Sequence, residues 1–106
     1  MAKAQEFFDE GYRHHMAKEY EKARTLYLEA AKSNHADALH NLGVLYENGL
    51  GVQKDLAIAF SYFKLAAARR FGYASEGQLC HDLASFYANG WGTPVDEKLA
   101  FKWYQW

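Results

Sequence analysis

The sequence predicts an all-α protein, an α/α solenoid of three helix-turn-helix repeats and six helices. Three observations carry this. Y-E-N-G-L-G-V-Q-K-D at 46–55 returns forty-one residues later as Y-A-N-G-W-G-T-P-V-D at 87–96, with five of ten positions identical. Self-similarity at such an offset marks stacked supersecondary units. Apolar residues recur at helical spacing: Ala38, Leu39, Leu42, Leu45 and Tyr46, then Ala59, Phe60, Phe63, Ala66 and Ala67, each set lining one face of a 3.6-residue helix. No run alternates with period two for long enough to compete as a strand.

The elements follow in order. A-R-T-L-Y-L-E-A-A at 23–31 matches A-F-S-Y-F-K-L-A-A at 59–67 at an offset of 36, so it is a further copy of a hairpin's second helix. Its partner is a first helix from Ala2 to about Met16. The link between them, M-A-K-E-Y-E-K-A, has no Gly-x-Gly and is short. The register of the first helix stays open, because Gly11 over Gly43 gives an offset of 32 and Tyr12 over Tyr46 gives 34. L-G-V-L-Y at 42–46 and L-A-S-F-Y at 83–87 are the first helices of the next two hairpins; A-F-S-Y-F at 59–63 and A-F-K-W-Y at 100–104 are their second helices.

Between those helices, Asn48-Gly49 and Asn89-Gly90 are stop signals, since a glycine takes the left-handed conformation that closes a helix. A second glycine, Gly51 or Gly92, lets the chain reverse, and Asp55 or Asp96 caps or favourably charges the next helix. In the last hinge, Thr93 is expected as N-cap, Pro94 at the first helical position and Asp96 at the third. Ser75-Glu76-Gly77-Gln78 reads as a capping box opening the fifth helix, and R-R-F-G-Y-A-S-E-G-Q lengthens the link before it. Ala23, Ala30, Ala31, Ala59, Ala66, Ala67 and Ala100 are small where helices must cross closely, as are Gly43 and Ala84 on the first helices.

Composition narrows the function. The 106 residues make one domain, with no room for a separate cofactor domain. Net charge is −1 with no basic excess, which argues against nucleic acid as partner. No stretch approaches the ~18 apolar residues of a membrane helix, so no membrane partner is expected. A single cysteine, Cys80, and an N-terminus without a signal-type apolar run suggest a cytoplasmic, reducing compartment. The Gly-rich hinges could suggest a phosphate cradle, but no Lys-Ser/Thr and no strand accompany them.

Ala38, Leu42, Gly43, Tyr46, Gly49, Gly51, Val52, Asp55, Ala59, Ala66 and Ala67 form a pattern that resembles the Sel-one-like repeat, a relative of the tetratricopeptide repeat. The third unit keeps Leu83, Tyr87, Gly90, Gly92, Asp96 and Ala100 but has Ala84 and Thr93 where the pattern has Gly and Val. The first unit resembles a tetratricopeptide repeat through Gly11, Tyr20, Ala23, Tyr27 and Ala30. The resemblance divides the single domain into 1–34, tetratricopeptide-like, 35–74, Sel-one-like, and 75–106, a second Sel-one-like unit short at its C-terminus. It implies a right-handed superhelix serving as a protein-interaction scaffold or adaptor, and no enzyme.

Chemistry-bearing clusters are few. Cys80-His81-Asp82 beside His40 suggests a metal or nucleophile site, yet adjacent helix residues point about 100° apart; His14-His15 fails likewise. No catalytic, metal or cofactor site is expected. In solenoids of the resembled type certain first-helix positions face the concave groove. Here these are Phe8, Tyr12 and His15 under the Gly11 register, then His40, Asn41, Val44 and Asn48, and His81, Asp82, Ser85 and Asn89. Such a polar, aromatic face suits a peptide or protein partner. The alternative is a structural or oligomerising fragment of a longer array, with no ligand of its own.

The last helix raises a separate expectation. Lys64-Leu65-Ala66-Ala67 has only Gln105-Trp106 opposite it, and repeat stacks need capped ends. Leu99, Trp103, Tyr104 and Trp106 cannot all turn inward, so this end is expected to contact another copy, another protein or further repeats. The competing expectation folds Trp103 and Trp106 back onto the third hairpin.

Overall fold

The computed structural model describes residues 2–69 and 76–105. The elements are α1 (Ala2–Met16), α2 (Tyr20–Ala31), α3 (Ala36–Asn48), α4 (Leu56–Ala67), α5 (Glu76–Asn89) and α6 (Glu97–Tyr104). Each helix packs on its neighbours in sequence, α1 on α2, α2 on α3 and so on to α6. Three hairpins thus stack into an α/α solenoid, with no strand among the described residues.

Within a hairpin, a ring of the second helix lies on a small residue of the first. A Cβ at Gly11 would stand 2.9 Å from the Tyr27 ring, and one at Gly43 would stand 2.5 Å from the Phe63 ring. Tyr27 and Phe63 are equivalent at the offset of 36, so Gly11 and Gly43 do the same job and the first helix takes the glycine register. Tyr46, by contrast, stacks on Tyr62 at 5.8 Å while Tyr12 is exposed. Between hairpins, Ala38, Leu42 and Leu45 of α3 bury against Ala23, Tyr27 and Ala30 of α2. Leu79, Leu83 and Phe86 of α5 bury in the same way against Ala59, Phe60, Phe63 and Ala66 of α4.

The hinges confirm the stop signal and correct the start signal. Gly49 and Gly90 are left-handed, at φ +66° and +69°. Just beyond them the Leu50 N–H donates to the Leu45 carbonyl and the Trp91 N–H to that of Phe86, at 2.9 and 3.0 Å, as the Schellman closure requires. The N-cap of α6 is Asp96, whose carboxylate accepts from the Leu99 N–H at 3.0 Å; Thr93 is not the cap and Pro94 is not helical. The reason is a backbone bond: the Asp96 N–H donates to the Tyr87 carbonyl at 2.9 Å, as Asp55 does to Tyr46 at 3.0 Å. That bond ties the extended segment to the helix behind it, so α6 starts only afterwards. Asp55 caps α4 identically, through the Ile58 N–H.

The first hinge makes the same closure without glycine. Lys18 is left-handed at φ +63°, and the Glu19 N–H donates to the His14 carbonyl at 2.8 Å. A side chain with a Cβ pays sterically for that conformation. The capping box expected at Ser75 and most of the long link lie outside the described residues.

Two substitutions check the hinges by thermal unfolding. Lys18→Gly should stabilise by about 0.5–1 kcal/mol, because the native φ is one that glycine adopts freely. Gly90→Val should destabilise by about 1–3 kcal/mol, from the β-branched side chain at positive φ, while Lys98→Ala on the exposed face of α6 stays within ~0.5 kcal/mol of the parent.

Candidate protein-interaction face

The predicted groove residues lie on α1, α3 and α5, and the structure treats them unequally. Phe8 is half-buried and stacks on Tyr27 at 5.6 Å, on Tyr12 at 6.0 Å and on His35 at 4.9 Å. His40 packs against Phe63 at 5.4 Å and His81 sets an edge against Tyr104 at 5.6 Å. Phe8, His40 and His81 are therefore the same repeat position, each resting on the same ring of its own second helix. Their exposures differ: His40 is 5% exposed, whereas His81 is open to solvent. Tyr12, Asn48 and Asn89 are exposed; His15, Asn41, Val44, Asp82 and Ser85 are half-buried.

Two polar links join the hairpins behind this face. Asn41 Nδ2 donates to the Tyr27 hydroxyl at 3.2 Å, and that hydroxyl lies 2.9 Å from His15 Nδ1. The hydroxyl thus bridges Asn41 and His15, accepting from the Asn41 amide. Burial pushes the Tyr27 hydroxyl up to about 12, the Asn41 bond opposing, and holds His15 below the usual imidazole value. In the second link, His40 Nε2 and Asp82 Oδ2 meet at 3.0 Å, and Gln78 Nε2 donates to Asp82 Oδ1 at 3.0 Å. Glu47 sits close by, its carboxyl raised first by burial and then by the Asp82 charge.

The pairing of His40 with Asp82 was not legible in the repeat alignment, which sets His40 opposite His81. His40 instead meets the next residue, Asp82, at a separation of 42. Tyr27, Glu47 and Gln78 were likewise missed; only Gln78 left a signal, lying four residues before Asp82 on one helix. Cys80 is buried, so Cys80, His81 and Asp82 do not converge. Among the described residues no three His, Cys, Asp or Glu side chains are placed to hold a metal ion.

Asn48 and Asn89 repeat one arrangement. Each donates Nδ2 to the carbonyl four residues earlier, Asn48 to Val44 at 3.0 Å and Asn89 to Ser85 at 2.8 Å. Back-bonding by one N–H restrains each exposed side chain and leaves its amide oxygen as an acceptor.

Comparison with known proteins agrees with this geometry. The Sel1 repeat profile matches residues 3–35, 36–70 and 78–105. The chain belongs to the Sel1 repeat family. The first hairpin is included, despite its glycine-free hinge. A Sel1 repeat protein from Oxalobacter formigenes superposes with a TM-score of 0.72 at 30% identity, over 81% of this chain and 33% of its own. A protective antigen of uropathogenic Escherichia coli displaying an SLR fold superposes at 0.85 and 27% identity, over 96% of this chain and 22% of its own. In sequence, the ERAD-associated E3 ubiquitin-protein ligase component HRD3 of Candida glabrata is 48% identical over 46 residues, covering 43% of this chain and 6% of the relative. Protein sel-1 homolog 2 of Mus musculus is 45% identical over 51 residues, covering 47% and 7%. The chain therefore aligns with only a small part of these relatives. No described helix is long and apolar enough to cross a membrane.

The end-contact residues are also placed. Trp103 is half-buried against the core that Leu79, Leu83 and Phe86 form with α4. Leu99 and Tyr104 are exposed, and so are Val95 and Phe101, which the sequence reading did not single out. Trp106 lies outside the described residues.

Acid should destabilise the fold through two histidines. The α3 N-cap is His35, whose Nδ1 accepts from the Ala38 N–H at 3.2 Å while Nε2 donates to Gln5 Oε1 at 2.9 Å. His15 and His35 both lie below the ordinary value because of burial, with Asp37 and Asp9 opposing at His35. A histidine with a lowered folded pKa binds more protons unfolded, so its stability contribution is present above about pH 6.5 and is lost as pH falls through the folded value. The melting temperature should drop on acidification below that point, and His35→Asn, which caps without titrating, should flatten the drop. An unchanged slope in the variant would remove His35 from the account.

Proposed function

We propose that this Sel1 solenoid is a protein-protein interaction module that holds a peptide or protein segment along the first-helix face of α1, α3 and α5, the concave side of the stack. The observation that carries the reading is the matched pair Asn48 and Asn89, one in each of the last two hairpins, each bonded to its own helix and exposed with an amide oxygen able to accept. Acceptors repeated along a solenoid suit the N–H groups of an extended backbone. Exposed Tyr12 and His81 add aromatic groups on the first helices α1 and α5, and a net charge of −1 leaves no field that would favour nucleic acid. The name of the HRD3 relative makes it a component of a larger assembly, which supports the same class of role. No nucleophile stands beside a base in the His40–Asp82 link, so the reading contains no reaction. It places the protein in a reducing, cytoplasmic compartment, since one cysteine leaves no intrachain disulfide to form.

A second reading is a structural segment of a longer array. It is favoured by the small fraction of each relative that the chain covers.

A random-peptide display library panned on the folded protein separates the two. Under the interaction reading, enriched peptides bind Asn48→Ala, Asn89→Ala at least about tenfold more weakly, while the melting temperature stays within about 2 °C because both amides are exposed. Peptides that bind the double variant as tightly as the parent would displace the site, and absence of enrichment would favour the structural segment.

A further inference from the structure

The two interfaces between hairpins differ in charge at equivalent positions. Residues 23–31 and 59–67 are copies at an offset of 36, so Arg24 on α2 stands where α4 has Phe60. Phe60 is 6% exposed and meets the edge of Tyr87 at 5.3 Å. At the first interface the tyrosine equivalent to Tyr87 is Tyr46, and with Arg24, Lys54, Asp55 and Ile58 it lines a cavity of about 440 Å³. Lys54 is also a cation in an apolar place, because the last hinge has Val95 at that position. The chain builds the second interface from Phe60 and Val95, so stacking itself requires neither charge.

Arg24 is half-buried, and among the described residues nothing accepts from it. Its Nε is wholly enclosed without a hydrogen bond, and no carboxylate pairs with the guanidinium. The terminal nitrogens, by contrast, are not enclosed. A cation held this way is costly until an acceptor meets it. Its charge reaches Tyr62, whose hydroxyl is raised by burial and by Tyr46 and lowered in turn by Arg24. Tyr62 stacks on Tyr46 at 5.8 Å, which sets the guanidinium beside this tyrosine pair. Lys54 is exposed and is likewise in no ion pair among the described residues; its charge only offsets the raised carboxyl of Glu47. The one carboxylate in the lining, Asp55, is engaged as the α4 cap by the Ile58 N–H at 3.0 Å. Two cations against that carboxylate leave a single positive charge.

We propose that this cavity binds a carboxylate, with the terminal nitrogens of Arg24 on its two oxygens, Lys54 as the second cation, and Val52 and Ile58 against the carbon chain that carries it. The planar guanidinium matches a carboxylate in bidentate fashion. One carboxylate balances the single positive charge, whereas a phosphate dianion would exceed it beside Asp55. The site is independent of the first-helix face, since neither Asn48 nor Asn89 lines it. The same group is carried by an acidic side chain of a polypeptide and by a free carboxylic acid.

The test titrates the isotope-labelled full chain at constant ionic strength, followed by nuclear magnetic resonance. Acetyl-glutamate amide should move the Arg24 Nε–H signal and the Gly51 and Lys54 amide signals saturably. Its Kd should lie at least about fivefold below that of acetyl-glutamine amide, which has the same shape without the charge. Arg24→Phe installs the residue that the chain uses at its second interface, and should abolish this binding while the helical circular dichroism stays parent-like. If that variant loses its helical signal, Arg24→Gln takes its place with the same expected loss. Asn48→Ala should bind the probe like the parent, which keeps this result separate from the groove. Acetate distinguishes the sources: a Kd within about threefold of that of acetyl-glutamate amide assigns the site to a free acid, and a weaker one to an acidic side chain of a polypeptide. Equal affinity for the glutamine probe, tighter binding of inorganic phosphate, or binding that survives loss of the guanidinium would each overturn the proposal.

Discussion

The stack depends on how closely a hinge approaches the hairpin before it. A Cβ at Gly92 would stand 2.7 Å from the Leu56 carbonyl oxygen and 2.8 Å from the Ala57 Cα; one at Gly51 would stand 2.8 Å from Tyr20 and 2.9 Å from its backbone carbon. Only glycine permits backbone to lie on backbone at that distance, and both residues also have φ near +70°. The hinge is therefore a contact between hairpins as well as a turn within one. It sets how far each new pair of helices sits from the last, and the packing of Leu42 on Tyr27 and of Leu83 on Phe63 follows from that spacing.

Inside the first two hairpins the spacing is set by a ring on a glycine. Gly43 beneath Phe63 brings α3 and α4 close enough for Tyr46 to stack on Tyr62 and for His40 to rest on Phe63. His40, buried there, is satisfied across the next interface by Asp82, which is in turn held by Gln78. Tyr27 does the equivalent between the first two hairpins, linking His15 to Asn41. Polar links of this kind are costly to leave half-made, so they fix the angle between neighbouring hairpins where apolar packing alone would tolerate slippage. The same links pull His40 and Asn41 partly out of the face and leave Tyr12, Asn48, His81 and Asn89 as its accessible part.

Equivalent positions differ in chemistry between hairpins. Glu6, Glu10 and Arg13 of α1 stand where α3 has Ala38, Leu42 and Leu45, and are exposed where those are buried. Phe101 and Tyr104 of α6 keep the aromatic character of Phe60 and Phe63 on α4.

The sequence by itself determined the six helices, their pairing, the glycine stop signals and the family, because all of these are local or periodic: a 3.6-residue spacing, an offset of 41, an Asn-Gly pair. The extent of α1 was likewise legible from the copy of α2 that follows it. Tertiary structure decided what depends on relative position. Gly11 rather than Tyr12 sets the first register because only Gly11 lies under a ring. Asp96 rather than Thr93 caps α6 because its N–H is held by the Tyr87 carbonyl. Lys18 replaces a hinge glycine because the chain there needs the left-handed conformation and offers nothing better. The contact of His40 with Asp82, and with it the burial of His40 while His81 stays exposed, arises where two hairpins meet, and no pattern within either hairpin encodes it.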